Sequence, residues 1–388
     1  MQPDDLILAA SIPIFFVLIF LERQVDRRIQ AVLYRFHDSI TDLSCGIGST
    51  VLGAVWGGFF VLAYLALEPY AFFDLGGGVF EWLLAFVVYD FAYYWWHRAS
   101  HRINFLWAAH IVHHQSEDFN LAVALRQAWF TGWSSWFFYL PLALLGVSTE
   151  VYLATGALNT IGQFWFHTRV IKRMGWFEWW LNTPSHHRVH HGIDPEYIDK
   201  NYAGILIVWD RLFGTFKREE QEPVYGTVEP LRSWNPIWAN FAYWAVIVKK
   251  VRAAPGWLKL WVPFAPPEWT PQGPLQIPVP TGEQWSTPIT GRHVVYVVAH
   301  FVPVGVIVLA LLAYPVSLPV KLVLVGLALF STLTWGGLFE SKWWARPLER
   351  VRLVALVVVS AFLGPVWLAV ALSVAVVSWV KMPECSYS

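Results

Sequence analysis

The sequence predicts an all-α, polytopic integral membrane fold with about eight transmembrane helices, and three features carry that prediction. Hydrophobic residues make up 56% and charged residues 14% of the 388 positions, whereas soluble domains carry about 25% charge. Apolar stretches longer than 18 residues recur along the chain, close to the roughly 20 that a helix needs to cross the hydrocarbon. Tryptophan is abundant, at 25 residues, as suits rings placed at membrane–water boundaries. An ordinary soluble protein is thereby excluded. The 27 Lys+Arg balance the 27 Asp+Glu, so no net field draws in nucleic acid. Cys45 and Cys385 are the only cysteines, which leaves neither a disulfide framework nor a cysteine-based metal site.

The expected spans are residues 5–22, 42–68, 79–96, 128–147, 149–166, 293–314, 319–338 and 353–380. The first follows MQPDD, with no basic leader and no small-residue cleavage site before Glu22 and Arg23, so it reads as an anchor. In the second, Gly46, Gly48, Gly53, Gly57 and Gly58 are expected to permit close helix packing. Eight alternating crossings put segments 23–41, 97–127, 167–292 and 339–352 on one side, and these hold 25 of the 27 basic residues. The positive-inside rule makes that side cytoplasmic, with both termini facing away. Residues 1–260 form one body in this reading. A Pro-rich linker follows at 261–290, and a three-helix transmembrane region occupies 291–388.

The 13 histidines are clustered: residues 186–191 hold four and residues 97–114 hold five. The helix of span 79–96 runs on without a breaker, placing His97 and His101 four apart on one face, with Asp90 on the same face. His110, His113 and His114 follow at i, i+3 and i+4, with Glu117 one turn on. His187, His190 and His191 repeat that spacing after His186, and His167 ends the 149–166 span. Neutral imidazole ligates iron, zinc and copper. Two ligands one turn apart bite the same ion, so the three boxes supply enough nitrogens for two ions. The predicted architecture is therefore a helical His-box cap on the cytoplasmic side, holding a dinuclear metal site. Asp90, Glu117 and Asp194 are acids that can offset the charge by orienting rings through their second N–H. The carboxylate-poor set suits redox iron that handles O2, although zinc accepts the same ligands. Arg98, Arg102 and Arg126 read as solvated cytoplasmic charge.

The pattern H-x3-H, H-x2-H-H, H-x2-H-H resembles the fatty acid hydroxylase/sterol desaturase superfamily. Residues 90–127 and 182–216 are most similar to its alkylglycerol monooxygenase subgroup. That resemblance implies a membrane-bound, O2-dependent di-iron oxygenase that hydroxylates a lipid C–H bond and, in this subgroup, cleaves ether lipids. A sterol or fatty-acid desaturase or hydroxylase is the alternative within the superfamily. By position, the iron ligands become His97, His101, His110, His113, His114, His187, His190 and His191, with His167 and His186 as additional ligands. Glu117, just after the second box, and Asp90 are the carboxylates expected at the catalytic site. Asn201 and Asp210 match further positions of supporting role. No haem-binding module is visible in the sequence, so electrons are expected from an external donor, and the subgroup implies tetrahydrobiopterin. The expected partners are a lipid from the bilayer, O2 and that donor.

Three readings compete with an oxygenase. A histidine relay in a metal transporter calls for ionisable residues along the spans, whereas these clusters sit at the edge. A cytoplasmic pH sensor uses histidines without needing one spacing repeated. A zinc-dependent lipid hydrolase would show zinc and no O2 dependence.

Overall fold

The computed structural model describes residues 3–363 and, beyond them, residues 374, 375, 378, 382 and 383. Among the described residues every regular element is helical, and extended segments add only two isolated bridges, Leu181 with Leu206 and Gly192 with Tyr225. The α-helices are α1 (Pro3–Ile29), α2 (Phe36–Leu67), α3 (Val79–Arg102), α4 (Asn104–Ala108), α5 (Thr131–Leu144), α6 (Thr149–Phe164) and α7 (Pro184–His190). They continue with α8 (Val208–Leu212), α9 (Pro236–Ala253), α10 (Leu258–Trp261), α11 (Gly291–Ala313), α12 (Leu318–Phe339) and α13 (Ala345–Leu363).

Among the described residues three stretches are long and apolar enough to cross a membrane: Phe36–Tyr70, which is α2 with its following turn, then α11 and α12. This is a membrane protein. The remaining expected spans are helical but differ in reach. α1 with 27 residues and α3 with 24 have the length, although Glu81, Asp90 and several Tyr and Trp dilute α3. α5 has 14 residues and α6 has 16, about 21 and 24 Å at the helical rise, short of the ~30 Å hydrocarbon. The last expected span starts inside α13 and runs on outside the described residues.

α2 is the central element. Its Ile40, Ile47 and Val51 share one buried cluster with Val304 and Val308 of α11 and with Val325, Leu338 and Phe339 of α12. The C-terminal helices thus complete the core of the body. On its other side, Tyr64 of α2 stacks on Tyr152 of α6 at 4.2 Å, within a cluster containing Ala85 of α3 and Leu142 of α5. Close approach explains only part of the glycine run in α2. A Cβ on Gly46 would lie 2.3 Å from the Leu125 carbonyl oxygen, and one on Gly48 2.2 Å from Trp129 Nε1. Gly53, Gly57 and Gly58 would meet nothing within 4 Å, so the packing expectation fails for those three.

Residues 265–290 carry no helix, yet the segment is docked as a strap. The Trp285 N–H donates to Glu117 Oε2 at 2.7 Å, Arg35 Nη1 donates to the Trp285 carbonyl at 2.7 Å, and Trp285 packs on Trp234 at 4.6 Å. The histidines gather between the C-terminal end of α3, the end of α6, α7 and the turn Ile111–His114.

Candidate metal centre

Two groups of imidazoles form, all buried except that of His101, which is half-buried. One contains His97, His101, His110, His114 and His190; the other contains His113, His167, His187 and His191; within each, the ligand atoms lie within 4.8 Å of one another. The groups touch, with the rings of His114 and His191 stacked at 4.3 Å. The pairing follows helical geometry. His97 with His101, His110 with His114 and His187 with His191 are each four apart, and each pair joins a single group. The i+3 residue of each H-x2-H-H box crosses over. His113 leaves its box for the four-membered group, and His190 leaves its box for the five-membered one. The second box is a 3-10 turn, Ile111–His114, whose three residues per turn point His113 and His114 well apart.

Four rings are oriented by backbone carbonyls. His97 Nδ1 lies 2.8 Å from the Tyr202 oxygen, His190 Nδ1 3.0 Å from Lys200, His113 Nδ1 3.1 Å from Arg126 and His167 Nδ1 3.2 Å from Gln163. A carbonyl only accepts, so each Nδ1 carries the proton and each Nε2 presents a lone pair. Those lone pairs face one another. In the four-membered group the Nε2 atoms close a ring: His113 to His167 at 3.2 Å, His167 to His187 at 2.9 Å, His187 to His191 at 3.2 Å, and His191 to His113 at 3.1 Å. In the other group His110 Nε2 lies 3.0 Å from that of His97 and 3.2 Å from that of His114. His101 Nε2 and His190 Nε2 are buried without a hydrogen-bond partner.

This donor set fits metal ions. Lone pairs held face to face repel, and a cation relieves them. Nitrogens at right angles around an ion about 2.1 Å away are roughly 3 Å apart. The rings are also held neutral, as ligands must be. Burial pushes all nine below the usual imidazole range, His113 to about 4 and His190 to about 3. Neighbouring imidazoles add to the effect at most of them.

The expected acids lie elsewhere. Asp90, fully buried, accepts the Ile205 N–H at 2.7 Å and Asn159 Nδ2 at 3.1 Å on one oxygen. Its other oxygen accepts the Leu206 N–H and Trp209 Nε1, both at 3.0 Å. Both oxygens are engaged away from the imidazoles. Glu117 binds the strap through Trp285 and lies 3.7 Å from Arg35, with burial pushing its pKa up. Asp194 accepts the Val224 N–H at 2.9 Å. The expectation of carboxylate orienters is corrected: carbonyls fill that role, and a one-letter sequence does not reveal where a carbonyl points. His186 lies outside both groups, 3.5 Å from the Thr183 hydroxyl and beside Phe216. Arg126 is likewise not solvated. Its buried guanidinium donates to the Val112 carbonyl at 2.7 Å, Asp42 at 3.0 Å and Gln115 at 3.2 Å, clamping the second box.

The fatty acid hydroxylase family model matches residues 82–215, which include all nine clustered histidines. The alkylglycerol monooxygenase of Xenopus tropicalis is 36% identical over 356 residues, 87% of this chain and 78% of that protein. The chain belongs to the fatty acid hydroxylase family. Within it, the similarity is to the alkylglycerol monooxygenase subgroup. The human alkylglycerol monooxygenase is 42% identical over 258 residues, 64% of this chain and 58% of that protein. An ornithine lipid hydroxylase of Rhizobium tropici is 29% identical over 147 residues, 35% of this chain and 42% of that protein. No solved structure matches the chain. Family membership makes the protein a membrane lipid monooxygenase, an O2-dependent and metal-dependent oxidoreductase.

Proposed function

We propose that the two histidine groups hold a pair of iron ions, and that the enzyme oxidises the carbon beside the ether oxygen of an alkylglycerol lipid. The closed ring of four facing Nε2 atoms carries this reading. Bound iron supplies O2-reducing redox chemistry: one oxygen atom enters the C–H bond, the other leaves as water, and two electrons come from an external donor such as tetrahydrobiopterin. A hydroxyl placed beside an ether oxygen is a hemiacetal, which separates into an aldehyde and a glycerol. The chain's own part is to hold nine neutral rings, fix four tautomers through carbonyls and keep carboxylates out of the imidazole cluster. A neutral ligand set leaves the charge of the ions uncompensated and so favours binding of anionic or electron-rich groups there.

The nine rings are His97, His101, His110, His113, His114, His167, His187, His190 and His191. Asp90 acts through the backbone of residues 205–206. The topology we favour has eight crossings with the centre on the cytoplasmic side of a cell membrane. Its orientation survives if the short α5 and α6 dip in and return as a pair, since a pair of helices leaves the sidedness of all other segments unchanged. Exposed Trp176, Trp179 and Trp180, each more than 60% accessible, support placing this face at headgroup level.

The test is purified protein supplied with a 1-O-alkylglycerol and reduced pterin, under air and under argon. Iron in the protein, with aldehyde formed only under air and in step with O2 consumption, is expected. Zinc with O2-independent turnover would instead point to a hydrolase.

A further inference from the structure

Residues 199–206 connect the first and third boxes without belonging to either. The Tyr202 carbonyl accepts from His97 of the first box and the Lys200 carbonyl from His190 of the third. Both rings belong to the five-histidine group. The loop carrying these carbonyls is anchored from beneath. Asp210 Oδ1 accepts the Tyr202 N–H at 2.8 Å and the Thr215 hydroxyl at 2.7 Å, while Oδ2 accepts the Ala203 N–H at 2.8 Å. Asp90 holds the amides of Ile205 and Leu206, and Gly204 lets the backbone approach it, since a Cβ there would lie 2.6 Å from Asp90 Oδ1. No carbonyl of residues 199–206 is hydrogen-bonded to a ring of the four-histidine group, whose orienting carbonyls are Arg126 and Gln163.

We infer that residues 199–206 form a collar that sets the rings of His97 and His190, and that Asp210 is a positioning residue for the five-histidine group alone. The inference rests on the reading of the centre as dinuclear. Asp210 is fully buried and takes three donors, a task suited to an acceptor-only carboxylate. An amide in its place turns an N–H2 toward a backbone N–H. One anchor is lost, the Tyr202 carbonyl shifts, and the His97 ring loses the bond that fixes its tautomer. Loss of such an outer partner lowers metal affinity about 10- to 100-fold.

The experiment is titration of full-length protein with ferrous iron against a competing chelator. Asp210→Asn is made in two backgrounds, His187→Ala, which disables the four-membered group, and His101→Ala with His110→Ala, which leaves the five-membered group only three rings and disables it. Asp210→Asn is expected to weaken iron binding about 10- to 100-fold in the first background and to leave it unchanged in the second. In otherwise unaltered protein, the iron count falls from two towards one. Thr215→Val, nearly isosteric, removes one donor to Asp210 and the partner of the Tyr94 hydroxyl while leaving both backbone anchors, so it shifts the same site in the same direction by less, and it decides the matter if the Asp210 variant does not fold. Equal weakening in both backgrounds, or none in either, overturns the inference and leaves the dinuclear reading intact. Unaltered protein that binds fewer than two ions overturns the dinuclear reading and the inference with it.

Discussion

His113 and His167 present their Nε2 atoms to each other at 3.2 Å, while each donates its Nδ1–H to a backbone carbonyl, of Arg126 and of Gln163. Neither nitrogen in that contact has a proton to share, so the contact is repulsive until a cation sits within reach of both. His167 comes from the end of α6 and His113 from the turn Ile111–His114, 54 residues apart. An ion held there also joins the end of α6 to the turn Ile111–His114.

Replacing His167 by alanine removes one corner of the closed nitrogen ring. Iron in the four-membered group should fall to near zero while the five-membered group stays loaded. Turnover should drop about 100-fold or more, beyond the loss seen for outer partners. Metal analysis of the purified variant alongside a turnover assay checks this.

His186 makes the opposite case. It stands in the third box but faces Thr183 and Phe216. His186→Ala should retain two ions and turn over within about twofold of the parent, with a stability cost of order 1–2 kcal/mol for the buried ring. Loss of an ion in this variant would contradict its placement outside both groups.

Arg126 and Asp42 form an ion pair at 3.0 Å, with side chains 2% and 0% exposed. Truncating one partner of a buried pair costs about 3–5 kcal/mol. Arg126→Ala also frees the Val112 carbonyl and Gln115, so box two loosens. The melting temperature in detergent should fall by several degrees, and iron should be lost from both groups, because that turn feeds both.

Acid should weaken the metal-free protein in a defined window. Above about pH 6.5 the histidines are neutral in both folded and unfolded chains. As pH falls, the unfolded chain takes up protons while the buried rings resist until about 4 for His113 and about 3 for His190. The unfolded state then binds more protons, so stability declines from pH 6.5 downward and is still falling at pH 4, because His190 resists until about 3. Thermal melts of chelator-treated protein across this range measure it, and a flat profile would contradict the burial of the rings.

The sequence makes the helical, apolar character and the clustering of the histidines legible, because apolar length and imidazole spacing are local properties. The i,i+4 rule even indicates which histidines fall in one group. It does not show that His113 and His190 cross between groups, since that depends on the 3-10 geometry of one turn and on where α7 docks. His186 misleads because adjacency in sequence places it in the box while its direction on α7 takes it out. Asp90, Glu117 and Asp194 look like orienters of imidazole, yet they bind backbone amides. The groups that do orient the rings are main-chain carbonyls of Tyr202, Lys200, Arg126 and Gln163, and any residue type carries one. Arg126 reads as surface charge because its partner Asp42 lies 84 residues away.

The central claim is tested most directly by removing and restoring the metal. Protein purified with its iron counted is stripped by chelation under argon, assayed for O2-dependent oxidation of an alkylglycerol, then reloaded with ferrous iron alone. Two iron atoms per chain, activity that vanishes on stripping, and recovery in proportion to iron regained are the predicted result. Full turnover by the stripped protein, or iron that binds equally well after His113 and His167 are both replaced by alanine, would contradict it.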